Sequence, residues 1–198
     1  MNAESTWAKL LEGNHRYAVS LPSRGDISAQ RRHDTARNGQ RPLAAVVACS
    51  DSRVPVKHLF DVGVGDLFVI RAAGNVVGSQ EAGSIEYAVG QLRVPLVIIL
   101  GHTLCWAVSA ALFSPACGGA GDSILLKIIP AAKRARTQYT GTSKTELLNA
   151  AVIQNVYQAI ADLLDLSPPV QASCDKGTVK VAGALYDTET GTVAGLNV

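Results

Sequence analysis

Three short runs of apolar and β-branched residues, separated by stretches of helical spacing, limit most tightly what this chain can fold into. They are residues 43–48 (LAAVVA), which end against Cys49, residues 66–71 (DLFVIR), entered through Gly63 and Gly65, and residues 94–100 (VPLVIIL). Runs this short and this apolar suit strands covered on both faces. A helical pattern through Ile85, Ala88, Val89 and Leu92 precedes the third run, and a second helix is expected over 102–112. Strands that alternate with helices pair in parallel, because each crossover returns the chain to the same edge direction. Residues 179–186, the turn DTETG and residues 192–196 then look like a strand, a reversal and a short edge strand. The expected fold class is α/β: a central, mostly parallel β-sheet flanked by helices, with an antiparallel C-terminal edge strand.

The remaining segments fit around that sheet. Trp7, Leu10, Leu11 and Tyr17 at helical spacing predict an amphipathic N-terminal helix. A polar arm rich in arginine (Arg24, Arg31, Arg32, Arg37, Arg41) follows over 21–40, with little to bury, so that residues 1–40 form a helix and an arm expected to lie over a neighbouring subunit. Helical spacing resumes through Leu125, Ile128 and Ile129, and again through Leu147, Ala151, Val156, Ile160 and Leu163, ending before Pro168 and Pro169. No repeat and no second domain is visible, and a length of 198 residues suits a single domain. A formal net charge of +2 excludes a protein whose task is to coat nucleic acid or an anionic membrane. No apolar stretch approaches the roughly 20 residues that cross a bilayer. The start of the chain carries no signal-peptide pattern, so a cytoplasmic protein is expected, whose four cysteines serve as ligands or thiols rather than disulfides.

Chemistry gathers at two strand ends. Cys49, Asp51 and Arg53 lie in CSDSR after the first run, with the alternate spacing that sends extended side chains to one side. His102 and Cys105 lie in GHTLC after the third, three residues apart, and are expected on the first turn of a helix. Carboxyl ends of parallel strands share one rim, so 53 residues of sequence separation can close into a Cys, His, Cys cluster. Two thiolates and an imidazole are a normal catalytic Zn2+ set, with the fourth position left for water or a carboxylate.

The blocks ACSDSRVP, GDLFVIRAAGNVV, GSIEYAVGQL and VPLVIILGHTLC, with the terminal AGALYDTETG, resemble those of the β-class carbonic anhydrases over nearly the whole chain. The resemblance implies zinc held by Cys49, His102 and Cys105, and reversible hydration of CO2 to bicarbonate and a proton by zinc-bound hydroxide. It implies a carboxylate–guanidinium dyad of Asp51 and Arg53, in which Asp51 accepts the hydroxide's hydrogen bond and Arg53 holds Asp51 off the metal. It also implies that Gln40, Phe68 and Tyr87 line a substrate pocket built where two subunits of a homodimer, or of a dimer of dimers, meet.

One position departs from that family's pattern. Trp106 stands where Gly usually follows the second zinc cysteine. Its indole either enters the pocket, narrowing it, or packs into the core or a subunit contact. A more apolar pocket would suit carbonyl sulfide or carbon disulfide hydrolysis, and a catalytically silent zinc-binding homologue is the other alternative. His15, His33 and His58 are candidate proton relays, though lone histidines are usually structural. Cys117 and Cys174 have no partner at ligand spacing, and the CGGAG run lacks the GK[ST] ending of a phosphate loop.

Overall fold

The computed structural model describes residues 1–114 and 119–197, which leaves Cys117 and part of the CGGAG run outside the described residues. It contains a five-stranded sheet in the order β2-β1-β3-β4-β5, formed by β1 (Ala44–Ala48), β2 (Leu67–Arg71), β3 (Leu96–His102), β4 (Lys180–Tyr186) and β5 (Val193–Gly195). The first four strands pair in parallel, and β5 runs antiparallel at the edge. Both the parallel sheet and the antiparallel edge expected from the pattern are therefore present.

Alternation along the strands builds a separate core on each face. Ala45, Val47, Val97 and Ile99 point to one side, beneath α4 (Ser79–Gly90), α7 (Lys144–Leu166) and α8 (Pro168–Asp175). Ala44, Val46, Ile98 and Leu100 point to the other, against α1 (Ala3–Ala18) and the short α3 (Val56–Leu59). A third apolar cluster lies beyond the carboxyl ends of β1 and β3. There α5 (Trp106–Phe113), α6 (Gly121–Gln138) and α7 close over Cys49 and Cys105. Among the described residues no helix is long and apolar enough to cross a membrane.

Three details differ from the expectation. The arm contains a ten-residue helix, α2 (Ala29–Asn38), capped by Ser28 and without a single buried residue, so hydrophobic spacing could not reveal it. Pro168 and Pro169 do not merely stop α7. They open α8 behind the Ser167 cap, because proline has no N–H to lose in a helix's first turn. His102 is the last residue of β3 rather than the start of a helix. Leu104, at φ 56°, turns the chain, and Cys105 sits immediately before α5.

The arm is tied first to its own chain. Asp61, buried, accepts from Arg16 Nε at 2.6 Å, Ser23 Oγ at 2.5 Å and the amides of Arg24 and Gly25 at 3.0 and 3.3 Å. Burial alone would raise the Asp61 carboxyl, but these donors outweigh it and hold it below the ordinary value. Arg31 of α2 reaches Asp66 at 2.7 Å. The arm thus rests on its own subunit as far as α2, and the outer face of α2 is exposed.

Candidate metal centre

In the order β2-β1-β3, the chain leaves β1 toward β2 on one side while β3 lies on the other. The crevice at such a reversal is where open α/β sheets place their ligands, because no crossover covers it. Cys49 follows β1 and His102 ends β3, at neighbouring positions on this rim.

The donor atoms of Cys49, His102 and Cys105 all lie within 4.8 Å of one another, and all three residues are buried. The two Sγ atoms are 3.9 Å apart. The His102 ring is fixed from behind by a 2.9 Å hydrogen bond between Nδ1 and the Thr103 carbonyl, which requires Nδ1 to carry the proton. That tautomer leaves Nε2 with its lone pair, and Nε2 is fully buried with no hydrogen-bond partner among the described residues. An orphaned imidazole nitrogen facing two sulfurs is a costly arrangement for a protein interior, and a tetrahedral cation of the zinc type removes the cost. The residues present therefore fit the metal.

The cysteines are not equivalent. Cys49 Sγ shares a hydrogen bond with Cys105 Sγ, and accepts from the amides of Asp51 at 3.4 Å and Gly74 at 3.2 Å. The bond to Cys105, together with the two amides, holds the Cys49 thiol below its ordinary value. Cys105 is pushed up, by its bond to Cys49 and by burial.

Asp51 and Arg53 form the expected pair. Arg53 donates Nε to Oδ1 at 3.0 Å and Nη2 to Oδ2 at 2.7 Å, and its own amide bonds Oδ1 at 2.9 Å. The guanidinium is anchored in turn on the Leu104 carbonyl at 3.1 Å, which links the loop after β1 to the turn after β3. The Arg53 side chain above all, and then its amide, lower the Asp51 carboxyl to about 2. Asp51 Oδ2 stands 4.0 Å from His102 Nε2.

The other residues singled out from the sequence lie elsewhere. Phe68 pairs with Ala45, four residues below Cys49, and so about 13 Å down the strand at 3.3 Å per residue. It stacks with Tyr87 at 6.1 Å between ring centroids, and Tyr87 is 49% exposed. Gln40 is exposed beyond the end of α2. These three do not reach the cluster of their own chain. His15, His33 and His58 are on the surface.

Trp106 satisfies neither of its alternatives within the chain. Val108, Ala111 and Leu112 carry the buried face of α5, whereas Trp106, Ser109, Ala110 and Phe113 form the opposite stripe at helical spacing. That stripe lines an open groove of about 560 Å3 that begins at Arg53, and the indole is 80% exposed. It is not buried over the donor cluster and does not fill a core.

The sequence reading missed Arg71, whose Nη2 bonds the carbonyls of Cys49 at 2.7 Å and Asp51 at 2.6 Å and so fixes the loop that carries both. A charged residue closing an otherwise apolar strand at this rim was the available signal. It also missed Gly74 and, in the middle of α7, Asn155, which bonds the Gly74 carbonyl at 2.7 Å.

The family model for carbonic anhydrases matches residues 44–193, from the first residue of β1 into β5. The chain belongs to the carbonic anhydrase family. Among carbonic anhydrases it is 34% identical to carbonic anhydrase 2 of Mycobacterium tuberculosis over 194 residues, covering 96% of this chain and 91% of the relative. The carbonic anhydrase of Mycolicibacterium smegmatis is 35% identical over 196 residues, with 97% and 92% covered. Solved structures place it with the β-class carbonic anhydrases. A tetrameric enzyme of Sordaria macrospora superposes with a TM-score of 0.77 at 26% identity, covering 86% of this chain and 88% of that one. The Coccomyxa enzyme in complex with acetazolamide gives 0.75 at 26% identity, with 94% and 84% covered.

Proposed function

We propose that this chain is a zinc-dependent β-class carbonic anhydrase that interconverts CO2 and bicarbonate at Cys49, His102 and Cys105, with Asp51 and Arg53 as its catalytic dyad. The observation that carries the proposal is the orphaned Nε2 of His102, facing two cysteine sulfurs beneath a carboxylate held by arginine. Bound zinc would supply an electrophile that acidifies water for attack on the carbon of CO2.

The protein's own contribution is orientation. Asp51 accepts a hydrogen bond from the attacking water and thereby aims the oxygen lone pair at CO2. With its carboxyl held at about 2, Asp51 cannot retain a proton at neutral pH, so the proton released with bicarbonate passes on to solvent and buffer. Arg53, gripping both carboxylate oxygens, keeps Asp51 from swinging toward the three donors, and a planar fork does this where an ammonium cannot.

The exposed Gln40 and the half-exposed Phe68–Tyr87 pair would complete the pocket of a second copy, in a homodimer or a dimer of dimers. Cysteines kept as metal donors rather than joined in a disulfide, as proposed for Cys49 and Cys105, suit the reducing cytoplasm. Carbonyl sulfide or carbon disulfide hydrolysis rested on an indole inside the pocket, and the exposure of Trp106 removes its support. The formed Asp51–Arg53 pair argues against a silent homologue, since a purely structural zinc needs no gated fourth position. Stopped-flow CO2 hydration by zinc-loaded protein of measured metal content tests the proposal. One zinc per chain with rapid hydration is expected, and a zinc-loaded protein no faster than buffer would overturn it.

A further inference from the structure

Asn155 is out of place on its helix. It lies in the middle of α7 at 1% exposure, among the buried Ala151, Val152, Val156 and Ala159. A leucine there would bury apolar surface, whereas an amide in such surroundings is tolerated only when it is hydrogen-bonded. The α-helix satisfies its own backbone at this point, so the side chain serves something else. Its Nδ2 donates to the Gly74 carbonyl at 2.7 Å, 81 residues away in sequence.

Gly74 is held on its other side as well. Its amide donates to Cys49 Sγ at 3.2 Å, so the two peptide groups flanking one Cα are committed in different directions. Its φ of 65° lies in the left-handed region that favours glycine, and a Cβ there would stand 2.6 Å from Ile128 Cδ1, so a larger residue would be strained and would push Ile128 aside. Ile128 of α6 packs against the turn over 73–75, so Gly74 is contacted by α6, bonded to Asn155 of α7 and bonded to Cys49.

We propose that Asn155 is a positioning residue for the metal centre, holding Gly74 so that its N–H is aimed at the Cys49 sulfur. An N–H donated to a cysteinate withdraws electron density from sulfur and fixes the direction of its remaining lone pairs. The bond therefore tunes how strongly Cys49 would donate to zinc and along which line. Groups that orient metal ligands in this way typically change metal affinity or activity by 10- to 100-fold when removed. The inference rests on the proposed metal site and adds a residue that touches neither metal nor substrate.

The test measures zinc affinity by competition with a chelator, and the thiolate-to-metal charge-transfer band of the cobalt(II)-substituted protein. Wild type is compared with Asn155→Leu, Asn155→Ala and Leu163→Ala. Leu163→Ala removes core volume further along α7, away from the cluster, and controls for loss of stability alone. Both Asn155 variants are expected to bind zinc about ten-fold or more weakly and to shift the cobalt band, while Leu163→Ala keeps both readouts. An unchanged band with zinc affinity within threefold of wild type in either folded Asn155 variant would overturn the positioning role. So would an equal loss in Leu163→Ala. A wild-type chain with no thiolate–cobalt band would instead overturn the metal site itself, and this inference with it.

Discussion

Removing the Arg53 guanidinium tests the dyad most directly. In Arg53→Ala, Asp51 loses the bonds from Nε and Nη2, and the Leu104 carbonyl loses its donor, while the amide bond from residue 53 to Oδ1 survives. The carboxyl, now at about 2 against an ordinary 3.8, should move back toward that value. At about 1.4 kcal/mol per unit the full return would be worth about 2.5 kcal/mol. Because the Arg53 side chain is 43% exposed, water screens the pair, and about 1 kcal/mol is the better expectation. That corresponds to a fall in Tm of about 2–4 °C for a chain of this size. Even at 3.8 the carboxyl stays ionised at pH 7, so protonation cannot explain a loss of activity. Displacement can, because the freed carboxylate starts 4.0 Å from His102 Nε2 and can rotate toward the donors. Stopped-flow hydration should show kcat/KM reduced by about 100-fold, the scale of a misplaced catalytic group, with zinc content unchanged. Arg53→Lys should recover part of the stability and little of the rate. Hydration within threefold of wild type by fully loaded Arg53→Ala would refute the reasoning.

Cys49→Ser or His102→Ala should lose most of the metal by elemental analysis, and full occupancy in both would remove the donor assignment. Trp106→Ala should change stability by less than about 1 kcal/mol, as expected for a solvent-facing side chain, and a drop of about 3–5 kcal/mol by denaturant titration would place the indole in a core instead. The Asp61 carboxyl is lowered in the folded state, so its contribution is complete above the unfolded value near 4 and is lost as pH falls through the folded value. Asp61→Asn should therefore be less stable than wild type at pH 7 and show a shallower fall in Tm on acidification below about pH 4, whereas parallel curves would contradict the sign.

How much of this was legible in the sequence depended on how far each signal travels. Strands β1 and β3 declared themselves because they are buried on both faces, and β2 because its run is apolar up to Arg71 although Phe68 and Val69 are only partly buried. The cluster of Cys49, His102 and Cys105 followed from two strand ends and the rule that parallel strands share a rim. The helix α2 stayed hidden because it buries nothing, and helical spacing can be seen only where one face is apolar. The orientation of Trp106 was undecidable from position alone. It is set by the turn at Leu104, whose positive φ shifts the start of α5 and with it the face that each residue presents. Arg71 and Asn155 act on backbone atoms, the carbonyls of Cys49 and Gly74. A backbone atom leaves no mark in a sequence, so neither interaction had a partner to be read.

The two halves of the proposed donor set come from strand ends 53 residues apart, and this would tie metal capture to the order of folding. In the unfolded chain an ion meets Cys49 alone, or His102 with Cys105, and neither holds it firmly. Closing the intervening loop costs entropy before any contact repays it, and the parallel pairing of β1 with β3 is what repays it. Firm metal uptake should therefore be a late event that reports the arrival of β3 beside β1 in the correct register, making the ion a timer of sheet assembly rather than its template.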